Sequence, residues 1–390
     1  MGIVKIALLS DCYLPRLGGI EVQVRDLAYH LLAAGHEVEV FTATLGDHDE
    51  RGGVVEVVDG LPIHRMGIEL PGRLPMNPLA APETKRRLAA GSFDVAHVHM
   101  GITSPFTVDC TRVALQLGLP VSMTWHCMLG PAEPLFHISQ IARMWARCGV
   151  AMNAVSRVAA GPVQRALGPW GTCHVLPNGI DASTWWREPS DQAALHPPSR
   201  EGELQVVSAM RLANRKRPLP FLQVMRRVRE MIPEVPFRVT ILGEGRQGPL
   251  VRAYVKRFGM TDWVDLPGRV SRPELLNLYR NSHIYASPAK LESFGIAALE
   301  ARCVGLPVVG RATSGCVEFI EDGVNGCLAV DDDGMAEGMA RLLSDHDLRE
   351  SMWHHNMTCP PEHDWPRVVE LTIEEYRRAA TLRGLSLAGR

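Results

Sequence analysis

The residues with the most obvious chemistry lie between Tyr285 and Gly310. There Glu292 and Glu300 bracket a Ser293-Phe294-Gly295-Ile296 turn and the apolar helix that follows it. Apolar runs flank the segment, His283 to Ala286 before it and Leu306 to Val309 after it, and each has the pattern of a buried parallel strand. The helix therefore starts directly after a strand, and its first backbone N–H groups, near Gly295, suit an oxyanion. Glu300 lies eight residues beyond Glu292, so at about 1.5 Å rise per residue the two backbones stand up to about 12 Å apart. Carboxyl pairs that cleave a glycosidic bond work at roughly 5 to 9.5 Å. These two are better spaced to grip the ends of a long ligand, such as a nucleotide sugar.

A matching set of cations occurs earlier in the same half. Arg211-Leu212-Ala213-Asn214-Arg215-Lys216-Arg217 places four cations in seven residues between a strand and a helix. Arginine holds two phosphate oxygens at once and lysine adds a point charge, so a diphosphate is the ligand this loop suits. Gly243, and then Gly268 with Val270, follow two further strands and are placed to line a nucleotide base. In the first half, Gly18-Gly19 directly precedes a helix, which permits close backbone approach to a phosphate. No G-x-G-x-x-G follows, which argues against a dinucleotide-binding domain. His126 ends a strand and is placed to hydrogen-bond a hydroxyl or offset charge. His97 and His99 alternate along one strand and read as structural or supporting residues, with Asp94 at the strand start. Asp331-Asp332-Asp333 precedes a helix, where capping and solvation account for it; no metal and no cofactor is expected.

These residues need α/β scaffolding, and the chain alternates accordingly. Val4 to Leu9, Glu37 to Phe41, Val95 to Val98, Pro120 to Met123 and Ala151 to Val155 read as strands, with a helix from Glu21 to Ala34. The second half repeats the theme at Leu204 to Ser208, Arg238 to Leu242, Trp263 to Leu266, His283 to Ala286 and Pro307 to Val309. Two doubly wound parallel sheets are the economical architecture, each binding ligands at its strand carboxyl ends. The expected division is an acceptor-binding domain over 1–186, a polar linker over 187–202, a donor-binding domain over 203–364, and a helical segment over 365–390 that packs back on the first domain.

The chain of 390 residues is 46% hydrophobic and 22% charged with a formal net charge of −2, a balance that excludes bulk nucleic-acid binding. Its nine cysteines are scattered with no C-x-x-C pair and read as reduced thiols. No apolar run is long enough to span a bilayer or serve as a signal peptide, so a cytoplasmic location is expected.

In order along the chain, the Asp11 to Gly19 loop, FDVAHVH at Phe93 to His99, Thr124 to His126, NAVSR at Asn153 to Arg157, VLPNGID at Val175 to Asp181, Arg211 to Lys216, Leu242 to Gly245 and Glu292 to Glu300 resemble family 4 glycosyltransferases of the GT-B fold. The resemblance covers nearly the whole chain. It implies two Rossmann-like domains facing across a cleft, with the C-terminal helix crossing back to the first. It also implies metal-independent, retaining transfer of a hexosyl group (mannose, glucose or N-acetylglucosamine) from a nucleotide-diphosphate sugar to an acceptor hydroxyl, on a lipid or cell-envelope glycoconjugate precursor. By the family pattern, Arg211, Lys216 and Gly19 meet the donor phosphates, Glu292 the sugar and Glu300 the ribose. His126 lies near the reacting centre, and Phe294 and Gly295 offer backbone contacts.

The Ser10 to Glu21 stretch and the Pro82 to Arg87 segment look most like the phosphatidylinositol-directed branch, which implies a membrane-surface acceptor; Lys85, Arg86 and Arg87 then read either as cations that meet anionic lipid at the inner face of the membrane or as a plain solvated helix face. The chain departs from the family pattern in two places. It has Ser314-Gly315 where a glycine pair is common, and Arg311 where a small residue is common. An arginine there is expected either to alter donor choice or to meet an acidic acceptor. A non-catalytic nucleotide-sugar scaffold is the alternative from another class, and retention of Arg211, Lys216, Glu292, Glu300 and His126 together argues against it. An epimerase or phosphorylase on the same fold is the other; no lysine is placed for pyridoxal phosphate.

Overall fold

The computed structural model describes residues 2–16, 18–46, 53–68, 76–186 and 202–387. The chain forms two compact units, Met1–Gly179 with His363–Arg390, and Ile180–Glu362. The expected linker over 187–202 lies, apart from Gly202, outside the described residues.

The sheet of the first unit has eight strands in the order β3-β4-β2-β1-β5-β6-β7-β8. These are β1 (Lys5–Ser10), β2 (Glu37–Thr42), β3 (Val54–Val58), β4 (Leu61–Arg65), β5 (Val95–Met100), β6 (Val121–Trp125), β7 (Ala151–Ala154) and β8 (Cys173–Val175). All pairings are parallel except β3 with β4. Every residue of β5, β6 and β7 is buried. Because successive side chains point to opposite faces, helices must cover both sides, and the strands read as continuous apolar runs. The β3–β4 hairpin was not among the expected strands. Its signal is Asp59-Gly60 between the valine-rich run Val54–Val58 and Leu61–Arg65, with φ of 47° and 81°, the positive pair that a tight hairpin turn requires.

The second unit has six parallel strands in the order β11-β10-β9-β12-β13-β14. They are β9 (Leu204–Ala209), β10 (Phe237–Leu242), β11 (Val264–Gly268), β12 (Ile284–Ala286), β13 (Val308–Arg311) and β14 (Gly326–Ala329). Its core joins Val206, Val239, Ile241 and Val309 to Phe221, Met225 and Val228 of the helix Pro218–Met231. Each such side chain contributes roughly 1.5–3 kcal/mol by leaving water.

The order of strands reverses between β9 and β12, and open α/β sheets bind ligands outside the strand carboxyl ends at such a reversal. In this chain the loops at that point carry Arg211 to Arg217 and Ser287 to Gly295. The corresponding reversal in the first unit lies between β1 and β5.

The boundary of the units corrects the expected division at residue 186. The helix Ala182–Trp185 belongs to the second unit, because the Trp185 ring packs on Tyr279 at 5.9 Å and Trp186 Nε1 donates to Met357 O at 3.1 Å. The helix Trp365–Leu382 belongs to the first unit. There Arg378 Nη2 donates to Met152 O and to Asn153 Oδ1, both at 2.9 Å, and Tyr376 is fully buried. Among the described residues, no helix is long and apolar enough to cross a membrane.

Candidate active site

In the second unit β9 ends at Ala209 and the chain turns through Arg211, which is exposed, into the 3-10 turn Asn214–Lys216. Backbone bonds stitch this loop to the next one: Leu212 N donates to Glu244 O and Gln247 N to Leu212 O, both at 2.9 Å. Between them lies a cavity of about 280 Å³, lined by Leu212, Gly243, Glu244, Gly245, Gly248, Arg252, Leu266 and Gly268. Two of the expected base-lining residues, Gly243 and Gly268, thus share one cavity. Val270, half-buried, follows them but is not in its wall.

Lys216 Nζ makes an ion pair with the Glu292 carboxylate. Both side chains are largely shielded, at 21% and 18% exposure. Residues expected to hold a diphosphate and a sugar therefore hold each other here.

Beyond Glu292 and half-buried Ser293, the helix Ile296–Cys303 starts at Gly295, whose φ of 97° suits glycine. Ala298 N and Leu299 N both return to Gly295 O, so the N–H groups of Ile296 and Ala297 have no carbonyl within the helix to bond. Phe294 is buried beneath this turn. Gly315 explains part of the departure from the glycine pair. A Cβ there would stand 2.3 Å from Ser293 O and 2.4 Å from Phe294 Cα, so glycine is required at 315. At 314, serine caps the next turn, its Oγ donating to Arg311 O at 2.7 Å and accepting from Cys316 N. Glu300 is 8% exposed and faces Arg272 Nη2 at 3.6 Å, a partner that its spacing from Glu292 did not reveal.

Arg311 departs from one of the two expectations stated for it, that of meeting an acidic acceptor. Its side chain has no exposed surface, and its guanidinium pairs with Asp332, so it is not presented to an acceptor. Burial, followed by the neighbouring Arg217, pushes its pKa down to about 10. The acidic run divides its work. Asp331 Oδ1 caps the helix Asp332–Ser344 by accepting from Gly334 N at 2.8 Å. Asp332 and Asp333 instead pair with arginines, where capping and solvation had been expected.

In the first unit, Gly18 caps the helix Gly19–Ala33 with extended backbone, and a Cβ on Gly19 would meet nothing within 4 Å among the described residues. Asp11 takes Phe106 N at 3.0 Å and Thr107 N at 3.2 Å, capping the helix Pro105–Gln116 from another loop.

His126 follows β6 and is buried. Its Nε2 lies 2.9 Å from His99 Nδ1. His97 meets Thr124 Oγ1 at 2.8 Å and Tyr376 OH at 2.9 Å. Alternation along β5 puts His97 and His99 on one face, which is how they reach each other. Burial pushes the His126 pKa down to about 4, against the opposing effect of a hydrogen bond with Asn178, and pushes His97 to about 3. Burial thus favours the neutral imidazoles near pH 7, a state suited to the hydrogen-bonding role named for His126. A cavity of about 20 Å³ adjoins them. Gly18, Gly19 and His126 lie in the first unit, and the other candidates in the second.

The proposed membrane-facing cations are unequal. Arg87 is 11% exposed, with its guanidinium on Glu83, His64 and the Gly53 carbonyl. Arg86 also pairs with Glu83 but stays exposed, as does Lys85.

Two family models match the chain: Glycosyltransferase Family 4 over residues 17–184 and Glycosyl transferases group 1 over residues 193–355. A D-inositol 3-phosphate glycosyltransferase of Arthrobacter sp. is 27% identical, covering 93% of this chain and 90% of that protein. A phosphatidyl-myo-inositol mannosyltransferase of Mycolicibacterium smegmatis is 28% identical, with coverage of 92% and 90%. The solved Anabaena protein HepE, in complex with UDP and glucose, is alike in fold at a TM-score of 0.71 and 17% identity, over 95% of this chain and 98% of that one. Two parallel Rossmann-like units with these matches define a glycosyltransferase of the GT-B type. The chain belongs to glycosyltransferase family 4.

Proposed function

We propose that this chain moves a hexosyl group from a nucleotide-diphosphate sugar to a hydroxyl of an inositol-bearing acceptor, with retention and without a metal ion. The observation that carries the donor half of this reading is the Lys216–Glu292 pair at the reversal between β9 and β12. A cation and a carboxylate, beside a helix N-terminus and a cavity of about 280 Å³, suit a ligand with phosphate, hydroxyls and a flat base. In this reading the base enters the cavity past Gly243 and Gly268, with Val270 beyond it, and Glu300 takes the ribose. Arg211 and Lys216 take the diphosphate, and Glu292 takes the sugar hydroxyls. Ser293, Phe294, Gly295 and Ile296 offer backbone groups alongside. Gly19 and His126 keep the roles that the family pattern implies, with Gly18 beside Gly19 at the phosphates.

The chemistry follows from charge. The bond between the anomeric carbon and the phosphate oxygen breaks, and negative charge grows on the leaving diphosphate. Cations and helix N–H groups already in place stabilise that charge without reorganising. The acceptor hydroxyl forms the new bond on the same face, and its proton passes to the leaving phosphate. Inositol is favoured as the acceptor because the names of both relatives give an inositol compound as the group acted on. If the acceptor is a lipid, exposed Lys85 and Arg86 are the cations of their helix placed to meet an anionic surface, at about 1 kcal/mol each.

A panel of UDP-, GDP- and ADP-sugars tested by thermal shift checks the donor half. One donor is expected to raise the melting temperature, since a ligand at a hundred times its dissociation constant adds about 2.7 kcal/mol. No shift with any of them would contradict it.

A further inference from the structure

The charged partners of the second unit sit on two loops, Lys216 after β9 and Glu292 after β12. Arg311, the last residue of β13, is linked to both, to the second directly and to the first through Asp332. Its Nε donates to Pro288 O at 3.4 Å, at the start of the stretch that leads to Glu292. Its Nη2 meets Asp332. The Asp332 carboxylate also takes both terminal nitrogens of Arg217, at 2.8 Å each, and Arg217 is the residue next to Lys216. Arg217 itself has φ of 60°, a conformation that costs a non-glycine residue free energy and persists only where its surroundings hold it. Arg311 Nη1 is buried with no hydrogen-bond partner among the described residues. A buried arginine with one nitrogen unsatisfied is poor value as a stabiliser, since desolvation offsets the attraction; fixing one geometry is the better-attested use of such a pair.

We propose that Arg311 and Asp332 are positioning residues of the donor site: through Pro288 on one side and Arg217 on the other, they set the separation of Glu292 and Lys216. Neither needs to touch the donor. This rests on the reading of Lys216 and Glu292 as donor ligands, and it gives the arginine that departs from the family pattern a task in that site.

Arg217→Gln breaks the bridge while leaving the Arg311–Asp332 pair in place. Asp332→Asn breaks it from the other end and leaves the Arg217 charge. Both variants of the full chain are expected to lower kcat/KM for the donor about tenfold, because small misplacements of a ligating group have costs of that size. The loss should appear more in kcat than in KM, as Lys216 meets charge that develops in the transition state. In a Lys216→Met background, Arg217→Gln should change kcat/KM by less than about twofold, since residues acting through one another do not add. Near-wild-type kcat/KM in Arg217→Gln, or losses that multiply with Lys216→Met, would overturn the inference while leaving the donor site standing. Unchanged or raised activity in a folded Asp332→Asn would mean that Arg217 binds phosphate directly, and would overturn it as well. If Asp332→Asn does not fold, the Arg217→Gln cycle decides. Near-wild-type activity in Lys216→Met alone would remove the donor-site reading and this inference together.

Discussion

Lys216 and Glu292 touch each other, so a donor that uses both must exchange that ion pair for its own phosphates and hydroxyls. The exchange is favourable only if the ligand returns at least the charge–charge contact it displaces, which a diphosphate next to a hexose can do. Arg211→Ala and Lys216→Ala are each expected to lower turnover by about two or more orders of magnitude, the range typical for removing a group that meets developing charge; steady-state nucleoside diphosphate release measures it, and rates near wild type in both would refute the assignment. The histidine cluster makes a separate prediction about pH. His126 has a pKa near 4 in the fold against an ordinary 6.5, so as pH falls through 6.5 the unfolded chain takes up a proton that the folded chain refuses. Stability is full above that pH and falls toward pH 4, by up to about 1.4 kcal/mol per pH unit for each such imidazole. Melting temperatures measured from pH 7.5 to 4.5 should therefore drop less steeply in His126→Asn than in the wild type, and equal slopes would contradict the buried neutral state.

At the scale of elements, the strands after which chemistry occurs were legible from apolar runs, and so was the helix beyond Gly295. The β3–β4 hairpin carries its turn chemistry in the sequence at Asp59-Gly60, but its second strand, Leu61–Arg65, lacks a strand's apolar pattern. The partners of Arg311 were not legible. Asp332 and Arg217 are far apart along the chain and meet only through the sheet order, in which β12 separates β9 from β13 and β14 lies beside β13, and a pattern along one strand cannot report a neighbour across the sheet. Spacing along the chain likewise could not show that Lys216 faces Glu292 and Arg272 faces Glu300. Two glycines separate packing from ligand approach. Gly315→Ala puts a methyl group against the Ser293 carbonyl and is expected to cost about 1–3 kcal/mol as an overpacked site, visible as a lower melting temperature together with weaker donor binding. Gly19→Ala meets open space and should leave stability unchanged or raise it by up to about 1 kcal/mol, as alanine replaces glycine in a helix. A fall in activity with no fall in melting temperature at Gly19 would support close backbone approach by a phosphate, and an unchanged activity would argue against it.

For the whole molecule, each unit has its own sheet and core, and the chain returns to the first unit through the helix Trp365–Leu382. Alternation of strands and helices made that architecture legible, because parallel sheets require crossover helices and burial on both faces. The division near Gly179 was less so, since Trp185 and Trp186 join the second unit through contacts that no local pattern announces. The central claim, sugar transfer to an inositol-bearing acceptor, is tested most directly by nucleoside diphosphate release. The full chain is incubated with the donor that stabilises it, with and without inositol 3-phosphate or phosphatidylinositol vesicles. The account predicts release that depends on one of these acceptors, is unaffected by a chelator, and yields a product with the donor's anomeric configuration by NMR. Donor binding with no acceptor-dependent release, or a product of inverted configuration, would contradict it.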